Sequence, residues 1–339
     1  MIKPENNFFL FGMGDREKYI YKNRSLIRYK DNEILYAWNN CTEEFIYDRY
    51  TVILTKNDGG RVVLEENEEG FFVDGKCLSA SKINLPDFEE YKYPKQLRIL
   101  HHEILINIID GKPVPNYFVY QKPWYRDSAM MGMVLKATSN LHLIKNWVLS
   151  ITDLYDKNNA GYCEPDNLGQ LLYLVSLVDN KENPLVEKIL TEAHKICENG
   201  LLSGITDFGD HRIYSTLWLK FALKELKMDD SFLNIPEEFD NYARMFWMDR
   251  DGIERATEYK NEYNWLYPYL WWAVKHFEKE PIDKEFLEIT YPMSWEKEAS
   301  QAKYEQIRQL SNTYADNKYS APHTWHASEM FLYLIEMEK

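Results

Sequence analysis

Long apolar runs are missing from this sequence. No stretch approaches the ~18 residues that a membrane-crossing helix requires, so no span is expected. Residues Met1 to Asn7 lack the apolar core of a secretory leader, and a cytoplasmic location is expected. Cysteine is scarce. Cys41, Cys77, Cys163 and Cys197 stand far apart, which argues against a disulfide scaffold and against thiolate metal spacing. They read as reduced, buried filler. Positive charge is also short, with 40 Lys+Arg against 54 Asp+Glu and a net charge of −14. Such a field repels phosphate, so neither nucleic acid nor an anionic membrane surface is an expected partner. There is no GxGxxG, P-loop, HExxH or nucleophile elbow. The eight His residues form only two close groupings, His101-His102 and His323 with His326, which read as ordinary polar use. No metal and no cofactor is expected.

Aromatic residues are plentiful. The chain holds 10 Trp, 25 Tyr and 16 Phe, many of them beside polar residues, as in Lys122-Pro123-Trp124-Tyr125-Arg126-Asp127. Rings with a polar tip suit flat, partly polar ligands, and sugars are the obvious class.

The first ~85 residues carry short β-branched or aromatic runs divided by polar turns. Examples are Phe8–Phe11, Tyr19–Tyr21, Ser25–Ile27, Glu33–Trp38, Tyr50–Leu54 and Arg61–Leu64, with turns at Lys22-Asn23-Arg24 and Asp74-Gly75. They predict six or seven antiparallel strands, in a small sandwich or a sheet capping something larger. From about residue 93 the period becomes helical. Helices are predicted over 93–111, 127–138, 140–155, 166–179, 183–199, 211–227, 235–246, 262–280, 296–312 and 323–338. Several are apolar on more than one face, as multilayer packing requires. The expected fold is mainly α: an (α/α)6-type toroid of helical hairpins over 91–339, preceded by a small antiparallel β domain over 1–90. Residues just before the inner helices of such a ring would line its pocket.

Six segments of that kind share one style. Trp124-Tyr125-Arg126-Asp127 offers an aromatic floor, a planar fork of donors and an acceptor for sugar hydroxyls. Glu164-Pro165-Asp166-Asn167-Leu168-Gly169-Gln170 places four polar groups at the start of an apolar helix, with Asn167 and Gln170 on one face. Asp207-Phe208-Gly209-Asp210-His211 joins two helices with two acids and a His. The stretch Glu254–Trp265 carries Glu258 and Trp265, the stretch Tyr291–Ser300 carries Trp295 and Glu296, and Ser320–Glu329 carries His323, Trp325 and His326. A single site drawing on many hairpins would produce this recurrence.

Three of these segments resemble a known family. Trp124-Tyr125-Arg126-Asp127-Ser128 looks like the W-x-R-D segment of six-hairpin glycosidases, notably glucoamylase-like glycoside hydrolase family 15. Asp166-Asn167-Leu168-Gly169-Gln170-Leu171-Leu172-Tyr173-Leu174 is similar to that family's D-x-x-G-E-x-x-x-x-L helix, and His323-Thr324-Trp325-His326-Ala327 resembles its closing T-W-x-x-A helix. The order of the three also matches. The resemblance implies an (α/α)6 barrel, hydrolysis of a glycosidic bond with inversion, and a grip on the terminal sugar by Arg126 and Asp127.

The expected activity is therefore an exo-acting glycosidase on a short oligosaccharide. A hydrolytic glycosidase needs two carboxyl groups astride the bond, one protonated and one ionised. Asp207 or Asp210 is the expected acid, with Glu164 the other strong carboxylate. The base is sought in the Glu254–Glu262 or Trp295–Glu298 loop, or at Asp316. Trp124, Trp265, Trp295 and Trp325 would stack on sugar faces, and Tyr125, Asp166, Asn167, Gln170, His211, Glu258, Glu296 and His323 would complete the binding surface. Two other readings stay open. One is a sugar epimerase or lyase using His211, His323 or His326 as base. The other is a sugar-binding protein without turnover. Oligomeric state is left open.

Overall fold

A computed structural model describes residues 7–236 and 290–336. The predicted segments 235–246 and 262–280 fall almost wholly outside them, as do Glu258 and Trp265.

Nine strands fill the first eighty residues, in two antiparallel meanders. The first sheet runs in order through β1 (Phe8–Phe11), β2 (Tyr19–Lys22), β3 (Ser25–Arg28) and β4 (Glu33–Ala37). The second runs in order through β5 (Cys41–Ile46), β6 (Thr51–Lys56), β7 (Arg61–Glu66), β8 (Gly70–Val73) and β9 (Lys76–Ala80). Turn chemistry sets the register. Lys22 pairs with Ser25 around Asn23 and Arg24, and Val73 pairs with Lys76 around Asp74 and Gly75. All four turn residues have φ between 48° and 74°. Two consecutive left-handed residues give the tight turn whose twist matches a right-twisted hairpin. Along β6 and β7, Val52, Leu54, Val62 and Leu64 alternate into the core. Glu66 continues that inward face, where its carboxylate accepts the Gly12 and Met13 amides and pairs with Arg16.

The helices are α1 (Pro94–Ile106), α2 (Tyr125–Ala137), α3 (Lys145–Ser150), α4 (Asp166–Val178), α5 (Pro184–Ile196), α6 (Arg212–Glu225), α7 (Asn312–Asp316) and α8 (Thr324–Glu336). α5 is a surface helix. Asn183 caps it through the Leu185 amide, Pro184 opens it, and Leu185, Val186, Ile189 and Ala193 form its one buried stripe. α4 is buried nearly all round, because α2, α3, α5 and α6 pack against it. Gly169 lets α6 approach closely, since a Cβ there would stand 2.3 Å from the Leu219 nitrogen. α8 lies between α1 and α2. Short two-stranded ribbons sit between helices: β10 (Ile108–Ile109) with β11 (Lys112–Pro113), β12 (Cys197–Glu198) with β13 (Leu201–Leu202), and β14 (Glu296–Lys297) with β15 (Tyr319–Ser320).

This architecture corrects the expected mainly α toroid. The described residues are 36% helix and 22% strand, in five separate sheets, which is a mixed α/β fold. Strand is not confined to a small leading piece, because each of the three ribbons ties a loop within the helical part. The helix predicted over 296–312 is also absent. That stretch holds β14 and a single 3-10 turn at Gln306–Gln309. No helix among the described residues is long and apolar enough to cross a membrane.

Candidate functional site

Three helices begin within hydrogen-bonding reach of one another. Arg126 and Asp127 lie in the first turn of α2, Asp166 opens α4, and Thr324 opens α8. Helix starts carry unpaired N–H groups and a partial positive charge, so they favour carboxylates. The sequence supplies Asp127, Glu164 and Asp166 there.

Arg126 is the hub. Its Nε donates to Asp166 Oδ2 at 2.9 Å and its Nη2 to Glu164 Oε1 at 3.3 Å, while Nη1 stands 3.6 Å from Asp207 Oδ1. The guanidinium also lies over the Trp124 ring, 5.4 Å from its centre, and Tyr120 stacks on that indole. Glu164 Oε1 further accepts from Asn159 and from the Asp207 amide. Gln170 donates to Asp166 Oδ2 at 2.7 Å and accepts from Asn167 Nδ2 at 3.3 Å, which fixes its amide orientation. Asn167 Oδ1 in turn accepts the Asp156 amide. Glu164 Oε2, Asp166 Oδ1 and Trp124 Nε1 are buried without a hydrogen-bond partner. Two orphaned acceptors and one donor in one cluster are a demand for outside hydroxyls or water.

A second group faces the first across Asp127. Thr324 donates to Asp127 Oδ1 at 3.2 Å. Glu296 on β14 meets His326 Nε2 at 2.7 Å and stands 3.9 Å from His323 Nδ1. Glu329, one helical turn on, lies 3.7 Å from His326 Nδ1. One ligand atom from each of Glu296, His323 and His326 lies within 4.8 Å of the others, so these three could hold a metal ion. Fully buried Glu103 on α1 accepts the Met293 and Ser294 amides and the Ser294 hydroxyl, and Ser294 Oγ accepts the His323 amide at 3.0 Å. The loop bearing Trp295 and Glu296 is thereby tied to the start of α8.

The environments push titrating groups in opposite directions. Burial raises the Asp127 carboxyl to about 7; Arg126 opposes the rise and Glu296 adds to it. Burial also raises Glu164, with Arg126 pulling back and Asp166 pushing on. Asp156 rises to about 6 by burial, against the amides of Asn158 and Tyr125. Glu296 moves the other way. Burial works against its charge, but His326 beside it prevails and holds the carboxyl below its usual range. Burial likewise disfavours charge on His326, yet Glu296 and Glu329 lift it to about 9, while burial takes His323 down to about 4.

The cluster thus brings together Trp124, Arg126, Asp127, Glu164, Asp166, Asn167, Gln170, Asp207, Glu296 and His323 from the sequence-derived set. Trp295 and Trp325 are half-buried neighbours of Glu296 and His326. Tyr125 is buried with its hydroxyl on the Asp153 carbonyl. Asp210 points away: its side chain is 64% exposed and pairs with Arg212. His211 lies against Gly209 in the loop ahead of α6. Asp316 is exposed and paired with Arg308. Sequence reasoning missed Glu103, Asp156 and Asn159, and it gave no role to Thr324 and Glu329 although both lie in the stretch Ser320–Glu329. Two carried a signal. Glu103 is a lone acid inside an apolar helix, and Glu329 continues the three-residue spacing of His323 and His326.

No protein-family profile matches the chain, and no characterised protein or solved structure matches it significantly.

Proposed function

We propose that this protein hydrolyses a glycosidic bond in a short oligosaccharide. The observation that carries the reading is the Arg126 cluster, in which buried Glu164 is biased toward its protonated form beside the partly exposed carboxylate of Asp207. A general acid needs surroundings that favour its protonated form, and burial acts on Glu164 in that direction. In this reading Glu164 gives its proton to the departing glycosidic oxygen. Asp207, 35% exposed at the rim, takes a proton from the attacking water. Arg126 and Asp127 grip the sugar, and the Trp124 indole supplies a flat apolar face. The orphaned Oδ1 of Asp166 accepts from a sugar hydroxyl in this reading, and Glu164 Oε2 carries the acid proton.

The test is a glycan library incubated with the protein in oxygen-18 water, read by mass spectrometry. Cleaved product with one heavy oxygen at the new reducing end is expected. On the substrate so found, Glu164→Gln is expected to lower kcat by about 100-fold to 10,000-fold and to remove the alkaline limb of the pH profile. An unsaturated, ultraviolet-absorbing product would assign a lyase instead, and a product of unchanged mass an isomerase. Sugar binding with no turnover would leave a lectin-like protein.

A further inference from the structure

We infer that Glu296, His323 and His326 form a binding site for one divalent transition-metal ion of the zinc class. Two imidazoles and a carboxylate are a common three-residue zinc set, which leaves a fourth position for water or a ligand oxygen. The inference does not depend on glycoside hydrolysis.

The spacing fits. Tetrahedral ligands about 2.1 Å from a zinc ion stand about 3.4 Å from one another. Here Glu296 Oε2 is 2.7 Å from His326 Nε2 and 3.9 Å from His323 Nδ1, and all three atoms lie within 4.8 Å. Side-chain shifts of up to about 1 Å bring such a set to coordination distance. The proton that now bridges His326 Nε2 and Glu296 leaves when the ion takes its place.

Three further observations point to a ligand. First, His323 Nδ1 is buried, its side chain only 6% exposed, and has no hydrogen-bond partner. At 3.9 Å it is too far from Glu296 for a hydrogen bond, yet it is aimed at the same carboxylate. A bridging cation resolves that geometry. Second, His326 offers its other nitrogen to Glu329. An outer carboxylate on the far nitrogen fixes the ring and makes the near nitrogen a better donor, as at many zinc centres. Third, the ligands are held before any ion arrives. His323 is pinned through its amide to Ser294 and on to Glu103, and Glu296 is paired to Ser320 across β14 and β15. A prearranged site loses less entropy on binding. Glu296 is 29% exposed, which gives an ion an access path. A bound ion there would sit beside Asp127, at the edge of the Arg126 cluster.

The experiment uses the full chain after chelator treatment, titrated with zinc chloride in a calorimeter, with bound metal counted by mass spectrometry after desalting. One ion per chain at micromolar or tighter affinity is expected. Glu296→Gln and His323→Asn should each weaken binding by about tenfold or more, and Glu329→Gln by about 10-fold to 100-fold. Circular dichroism and the unfolding midpoint confirm that each variant is folded. A second readout is the visible spectrum with cobalt, which should show intense tetrahedral bands for the wild type and lose them in His323→Asn. Absence of stoichiometric zinc in the wild type overturns the inference. So does zinc affinity unchanged in folded Glu296→Gln and His323→Asn, because the ion then binds elsewhere.

Discussion

His102 is held as a neutral ring between two aromatic faces. Phe9 stacks on it at 4.7 Å and Tyr50 at 5.6 Å, while Nε2 donates to the Leu10 carbonyl at 2.9 Å. Burial takes both His102 and its neighbour His101 down to about 3. The unfolded chain titrates them near 6.5, so between those values it binds more protons than the folded protein. Their stabilising contribution is fully present above about pH 6.5 and is lost as pH falls toward 3. Their share of the pH dependence is therefore a fall in the urea midpoint from pH 7 to pH 4.5, set against the opposite slope that the raised carboxyls of Asp127 and Asp156 contribute. His102→Gln, which keeps a donor for Leu10, should flatten that slope. Parallel slopes for wild type and variant would remove His102 as the cause. The residues of the Arg126 cluster were more legible than these. Arg126, Asp127, Glu164 and Asp207 announce themselves as polar groups at the starts of apolar helices. Asp156 and Asn159 sit in a polar loop whose composition resembles any other turn, and only folding brings them to the cluster.

Among elements, the pairing of α4 with α6 controls how the Arg126 cluster is assembled. Gly169 is the contact point, and an added Cβ would fall 2.4 Å from the Trp218 carbonyl carbon as well as on the Leu219 amide. Both obstacles are backbone, so neither can rotate away. Gly169→Ala is expected to cost about 1–3 kcal/mol or more, as overpacking does, and to lower the denaturant midpoint without changing helix content. An unchanged midpoint would mean that α6 can slide at no cost. Both helices were readable from leucine spacing alone. The 296–312 segment misled because β14 finds its partner β15 some twenty residues later, a pairing that local periodicity does not register. β8, a short apolar run with no alternation, was not named either, and β5 and β9 went unread for a related reason. One carries Glu43 and Glu44 and the other lies largely exposed, so neither alternates apolar with polar.

On the scale of the whole molecule, the strands and helices share one hydrophobic core. Phe8 and Phe9 on β1 meet Tyr291, and Tyr47 stacks on the same ring. Lys22 reaches the carbonyls of Gln309 and Leu310, and Tyr29 reaches Gln306. The sequence change near residue 90 is real as a change of element type. It is a weaker guide to independence, because the inner face of the strands is closed by residues from the far end of the chain. Calorimetry is expected to show one unfolding transition, with ratio of van't Hoff to calorimetric enthalpy near one. Residues 7–90 produced alone should show no cooperative transition. Two separable transitions, or a folded fragment, would establish a division there.

The helix starts that meet at Arg126, Glu164, Asp207 and Thr324 are drawn from distant stretches of the chain, and Lys22 bonds to a carbonyl 288 positions away. Closing such loops is an entropic cost met before any contact repays it. Individual helices and hairpins can therefore appear early in refolding, while the arginine hub gains its carboxylates only when the remote segments dock. The Arg126 cluster is a property of the finished chain, and a partly folded chain rich in secondary structure would still lack it.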